Sequence, residues 1–164
     1  AATGITANLD FVRSASKKWM PLGQDIVIVG GELVGIELAE FLHERGRTVT
    51  VIEPAPRLGK GLLLVRRMRI LAELKDHGVA LHGGAGGIAI EDGAVSFTAT
   101  DGSAQRIKAD HVIVAMGASG DLSLADRLKA EGYKVEAVGD CTGIGYIEGA
   151  MRGAADAARR LIAA

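Results

Sequence analysis

Residues 25–53 read DIVIVGGELVGIELAEFLHERGRTVTVIE, and the order of signals in this stretch decides the fold. Asp25 to Val29 is a short apolar run rich in β-branched residues, the pattern of a buried strand. The turn Gly30-Gly31-Glu32-Leu33-Val34-Gly35 follows, and apolar residues then recur at helical spacing to about Arg45, where Gly46 stops the helix. Thr48 to Ile52 is a second strand of the same kind, ending at Glu53-Pro54. Strand, glycine turn, helix and strand make one βαβ unit, whose right-handed crossover sets the two strands parallel in one sheet.

The position of the glycine turn gives it chemical meaning. Between a strand and a helix N-terminus it aims free backbone N–H groups and the positive end of the helix dipole at one point, which suits a pyrophosphate. Gly30 allows the tight turn and Gly35 lets the helix pack close to the strand. Glu53, 18 residues past Gly35 at the end of the second strand, stands where an acid hydrogen-bonds a ribose diol. Such an acid repels a 2′-phosphate, so NAD(H) is expected over NADP(H), with Arg57 and Lys60 softening the preference. Glu32 replaces the middle glycine of the fingerprint and puts bulk and negative charge beside the phosphates. Three outcomes are open: the side chain turns outward, a nearby Arg or Lys offsets it, or the turn is purely structural. Glu37 on the following helix is read as solvated.

Along the rest of the chain, Asn8 to Trp19 reads as a short helix closed by Pro21 and Gly23. Leu62 to His77 is a helix whose basic side chains Arg66, Arg67, Arg69, Lys75 and His77 form a solvated face, and Val79 to Leu81 is a short strand. Ile88 to Ile107 is a β-meander, its turns marked by Asp92-Gly93 and Asp101-Gly102. His111 to Ala115 reads as a buried strand, Leu122 to Glu131 as a helix, Val135 to Val138 as a last strand, and Tyr146 to Ile162 as a helix rich in small residues. The fold class is therefore α/β: a Rossmann-like doubly wound parallel sheet with a β-meander.

Composition narrows the function. Lys plus Arg total 19 against 20 Asp plus Glu, a net charge of −1, so nothing favours nucleic acid or an acidic membrane. The single cysteine, Cys141, excludes an internal disulfide and a Cys-x-x-Cys redox pair, which fits a reducing cytoplasm and leaves redox chemistry to a cofactor. His43, His77, His82 and His111 lack metal-ligand spacing, and no nucleophile and base pair suggests hydrolysis. No apolar run reaches the 18 or so residues of a membrane span. The expectation is a soluble cytoplasmic chain, and its start at Ala1 without an initiator Met suggests excision from a longer polypeptide.

Ala2-Thr3-Gly4, Ile26 to Glu40, Thr48 to Pro54, His111 to Gly117, and Val138 to Cys141 continuing to Tyr146-Ile147-Glu148-Gly149-Ala150 together carry a family likeness. The chain resembles the pyridine-nucleotide half of two-dinucleotide flavoproteins, especially the C-terminal part of NADH:flavin oxidoreductases similar to 2,4-dienoyl-CoA reductase and trimethylamine dehydrogenase. The resemblance implies one dinucleotide-binding domain over 1–164, with an NAD(H)-binding core at 25–120. Segments 1–24 and 133–164 then resemble the edges of a host FAD domain. It implies that Gly30, Gly31, Glu32, Leu33, Val34, Gly35, Glu53, Arg57 and Gly117 serve NADH and that Asp140 serves FAD in the intact protein. The partners implied are the FAD and barrel domains of the parent enzyme. Met116, where Thr is common, and Glu32 depart from the family pattern. Two other readings stand beside this one: a small FAD-binding domain in its own right, and a nucleotide-binding structural or docking domain without turnover, in which Asp140 only caps a helix.

Overall fold

The computed structural model describes residues 21–163; the helix expected over Asn8–Trp19 and the Ala2-Thr3-Gly4 strand end lie outside them. The chain divides after Gly117 into two compact units.

The first unit is built on four parallel strands in the order β3-β2-β1-β7: β1 (Asp25–Val29), β2 (Thr48–Glu53), β3 (Ala80–Gly83) and β7 (His111–Val114). Helix α1 (Leu33–Glu44) crosses from β1 to β2 and helix α2 (Leu64–Asp76) from β2 to β3. Strands β4 (Gly86–Glu91), β5 (Ala94–Thr98) and β6 (Ala104–Lys108) form a separate antiparallel meander.

Successive side chains of a strand point to opposite faces, so the DIVIV run serves two interfaces at once. On one face Ile26, Ile28, Val49 and Val51 pack with Ile36, Ala39 and Leu42 of α1 and with Ile70 and Leu74 of α2. On the other, Val27, Val29 and Ile52 pack with Val95 and Phe97 of the meander and with Ala85 and Ala109 at its ends. β1 is thus covered on both faces and is apolar from Ile26 to Val29, while β2 alternates Thr48 and Thr50 with Val49 and Val51 and buries Thr50 as well. Arg66 of α2 reaches Glu40 of α1 at 2.9 Å, and Arg69 pairs with Glu73 one turn on, so part of the basic face is ion-paired. At the amino end of the sheet, Asp110 accepts the N–H groups of Gln24 and Asp25 at 2.7 and 2.9 Å. Those two bonds hold its carboxyl below the usual carboxylate range.

Two expectations are corrected. β7 forms where expected but is not buried: among the described strands it stands at one edge of the sheet, with β3 at the other, and His111 and Val114 are exposed. An edge strand and a central one share the same apolar composition, so only pairing separates them. Val135 to Val138 is not a strand; a run of this kind becomes one only when a neighbouring strand takes up its backbone hydrogen bonds, and no described strand does.

The second unit holds helix α3 (Ser123–Ala130), a 3₁₀ turn (Asp140–Thr142) and helix α4 (Tyr146–Ala163). Arg160 of α4 pairs with Glu136 at 2.6 Å, tying the preceding segment to the helix. Among its described apolar residues only Ala157 is buried. No described helix is long and apolar enough to cross a membrane.

Ile28, fully buried between the sheet and its helices, is the test of this core. Ile28→Ala is expected to lower the unfolding free energy by about 2–5 kcal/mol in urea titration, whereas Ile90→Ala, at an exposed meander position, changes it by less than about 0.5 kcal/mol.

Candidate functional site

Because the four strands are parallel, their carboxyl ends share one edge. There β1 runs into Gly30, β2 ends at Glu53, β3 ends at Gly83, and β7 runs into Ala115-Met116-Gly117. From β1 the chain order proceeds outward through β2 and β3 on one side, while β7 returns on the other. Such a reversal opens a crevice at the carboxyl ends of the two diverging strands, the usual ligand position in open α/β sheets. Gly30 and Ala115 flank it.

The turn is built by two close approaches. Gly30 has φ of 113°, and a Cβ there would strike the Ala115 carbonyl oxygen on the neighbouring strand. At Gly35 a Cβ would strike the Gly30 carbonyl oxygen, so its absence lets α1 start directly against the strand end. Gly30 N–H donates to Ile52 O at 2.8 Å, locking the turn to β2. The first bond inside α1 runs from Ile36 N–H to the N-cap carbonyl of Glu32 at 3.0 Å, which leaves the N–H groups of Glu32, Leu33, Val34 and Gly35 without a partner inside the helix; Leu33 donates to Lys60 O at 2.8 Å. Among the described residues those of Val34 and Gly35, the next two in the helix, have no backbone acceptor and lie at the positive end of the helix dipole. Leu33 is half-buried, and the Val34 side chain is exposed.

Glu53 is 5 % exposed, and both carboxylate oxygens accept backbone bonds, Oε2 from Gly31 N–H at 2.6 Å and Oε1 from Ala55 N–H at 2.7 Å. The acid therefore joins the two loops that line the edge. A carboxylate has about four lone-pair positions, so two bonds leave acceptor capacity on it.

The loop after Glu53 lies across the turn as a strap, a feature the sequence did not announce. Gly59 N–H donates to Gly31 O at 2.6 Å, the Leu58 side chain packs beside Gly31, and Lys60 Nζ reaches Glu32 Oε1 at 2.9 Å. Of the three outcomes open for Glu32, an offsetting cation is present. The one available signal was a lysine set between Gly59 and Gly61 shortly after the acidic strand end. Arg57 is exposed on the same strap, Glu37 is exposed on α1, and Gly117 is exposed just beyond β7. Asp140 belongs to the second unit, where its Oδ1 accepts the N–H groups of Gly145 and Tyr146, each at 3.0 Å, and so caps the start of α4. Among the described residues no group of three or more His, Cys, Asp and Glu is placed to hold a metal ion.

Comparison with known proteins places this geometry. The family model described as pyridine nucleotide-disulphide oxidoreductase matches residues 2–142. Bilirubin reductase of Mediterraneibacter gnavus is 32 % identical over 122 residues, covering 74 % of this chain and 19 % of that protein. Rubredoxin-NAD(+) reductase of Pseudomonas putida is 29 % identical, covering 71 % of this chain and 34 % of that protein. Among solved structures, a 2-naphthoyl-CoA reductase complex superposes with a TM-score of 0.73 at 26 % identity, over 80 % of this chain and 20 % of that one. Histamine dehydrogenase from Rhizobium sp. 4-9, at 21 % identity and a TM-score of 0.72 over 85 % of this chain and 22 % of that one, shares the fold. The chain thus spans about a fifth to a third of the length of these relatives.

Glu53→Ala removes the acceptor of two backbone donors, one of them buried, and is expected to cost about 2–3 kcal/mol of stability, read as a lowered urea midpoint. Glu53→Gln, which keeps one carbonyl acceptor, is expected to lose less.

Proposed function

The chain belongs to the pyridine nucleotide-disulphide oxidoreductase family, and from that premise we propose that it is the NAD(H)-binding part of a flavin-dependent oxidoreductase that passes hydride from NADH to FAD. The observation that carries the proposal is the glycine turn at the reversal of strand order, joined by a buried carboxylate to the end of β2. This arrangement fits a dinucleotide because Val34 and Gly35 offer N–H groups at a helix N-terminus, which Gly30, Gly31 and Gly35 bring close to the strand ends by packing without a Cβ against Ala115, Leu58 and Gly30. NAD(H), when bound, supplies the hydride; the chain's residues bind and orient it.

In this reading Gly30, Gly31, Leu33, Val34 and Gly35 receive the pyrophosphate, and Glu32 borders it. Glu53 uses its remaining acceptor capacity for ribose hydroxyls and disfavours a 2′-phosphate, while Arg57 on the strap moderates that preference. Gly117, past β7 on the same edge, belongs to the nicotinamide side. Asp140 serves FAD in the intact protein, and 1–164 is one dinucleotide-binding domain with its core at 25–120 and host-domain edges at 1–24 and 133–164. The exposed apolar side chains Ile147, Met151 and Leu161 of α4 support the existence of a further domain that covers them. The similarity to 2-naphthoyl-CoA reductase favours a parent enzyme of the 2,4-dienoyl-CoA reductase kind. The lone Cys141 suits a cytoplasmic setting.

Calorimetric titration of the chain with NADH, NADPH, ADP and FAD in parallel tests this. NADH is expected to bind more tightly than NADPH by at least about tenfold, the size of one unscreened charge conflict. Preferential FAD binding would transfer the assignment to a small flavin domain. ADP binding as tight as NADH binding would reduce the chain to a nucleotide-docking module, and no binding at all would sink the proposal.

A further inference from the structure

We propose that Lys60 is the counter-charge that holds the Glu32 carboxylate off the helix N-terminus, so that this pair stands in for the missing glycine of the turn and sets its affinity for phosphate. The inference rests on the NAD(H) reading of the site and adds to it a residue that acts through another.

Glu32 immediately precedes α1 in the N-cap position, with extended backbone (φ −75°, ψ −166°). A side-chain oxygen in that position can accept an N–H of the second or third helical residue, as the shorter Ser, Thr, Asp and Asn side chains ordinarily do. Here those residues are Val34 and Gly35, the two donors left for a ligand, and Glu32 makes no such capping bond. Its carboxylate is turned instead to Lys60 Nζ at 2.9 Å.

The position of Lys60 is fixed by backbone as well as by charge. Its carbonyl accepts Leu33 N–H at 2.8 Å, and the adjoining Gly59 N–H donates to Gly31 O at 2.6 Å, so the strap is fastened on both sides of Glu32.

Both partners are partly in solvent, with side-chain exposures of 77 % for Lys60 and 35 % for Glu32, so the pair adds little to folding stability. Its consequence lies in what Glu32 does without it. Released from Lys60, the carboxylate can cap Val34 and Gly35 itself, where the helix dipole favours it, and it then competes with a pyrophosphate both sterically and by repulsion. With Lys60 in place the donors stay available and the added charge beside them is neutralised.

The test is a double-mutant cycle on the full chain, read by calorimetry with NADH and ADP, and with adenosine as a ligand that carries no phosphate. Lys60→Met is expected to weaken NADH and ADP roughly tenfold while leaving adenosine unchanged, and Lys60→Arg to retain binding. In a Glu32→Gly background the same Lys60→Met change is expected to cost less than about twofold. Equal losses in both backgrounds would overturn the inference, since Lys60 would then act on the phosphate directly, and so would an unaltered affinity in Lys60→Met. A parallel loss of adenosine binding would also overturn it, by marking the effect as general damage to the site. If neither the natural chain nor any variant binds NADH, the NAD(H) reading fails and this inference falls with it. NADH binding with an additive cycle removes the inference alone.

Discussion

The buried Glu53 carboxylate is the interaction on which the first unit's functional edge depends. A charge taken out of water costs several kcal/mol unless it is fully hydrogen-bonded. Glu53 meets that demand with the N–H groups of Gly31 and Ala55, one from the turn after β1 and the other from the loop after β2. The condition works in both directions: the carboxylate stays buried because the two loops supply donors, and the loops keep their places because an ion needs them. Gly30 N–H on Ile52 O adds a neutral bond at the same junction. From this anchor the strap runs to Gly59 and Lys60, which close on Gly31, Glu32 and Leu33. The pyrophosphate cradle and the acidic strand end are therefore one mechanical assembly, not two sites that happen to be near each other.

The sequence was most informative where one residue answers to one constraint. β1 is legible with the bounds it has, and β2 to within a residue, because both are β-branched runs packed on their two faces and closed by a glycine turn or an acid–proline pair. Gly30 and Gly35 were readable because their roles require the absence of a side chain, and absence is visible in a sequence. Glu53 could be placed at the strand end, but its two backbone partners belong to loops whose course follows from the three-dimensional closure. The same limit hid the Glu32–Lys60 pair: a lysine and a glutamate 28 positions apart meet only because Gly59 and Lys60 are bonded to the glycine turn. β7 and the run Val135–Val138 mark the converse failure. Their composition satisfies the rule for a strand, yet whether a strand is central, edge or absent depends on neighbours that composition does not name.

The two units differ in how they use apolar residues. The first closes a core on both faces of its parallel sheet, with Ile26, Val27, Ile28, Val51 and Ile52 at 2 % exposure or less. In the second, α4 places Ile147, Met151, Ala154, Ala158 and Leu161 at helical spacing, and these side chains are exposed among the described residues. Such a stripe is the face by which a helix joins a larger core. Its surface is instead furnished with local ion pairs, Arg152 with Glu148 and Arg159 with Asp156, which fix little by themselves.

The helix N-termini of the two units differ in how their donors are used. At α1 the N-cap residue makes no capping bond, and among the described residues the N–H groups of Val34 and Gly35 have no backbone acceptor. At α4, Gly145 and Tyr146 already donate to Asp140 Oδ1, so the positive end of that helix faces a carboxylate supplied by the chain itself. At α4 the carboxylate caps the helix itself, whereas at α1 the Glu32 carboxylate is held by Lys60 instead. What Asp140 can offer a ligand is acceptance of a hydroxyl or N–H hydrogen bond, since a carboxylate attracts donors and repels phosphate. The Asp140 carboxylate is thus already engaged by its own helix, whereas the turn before α1 carries its carboxylate on Lys60.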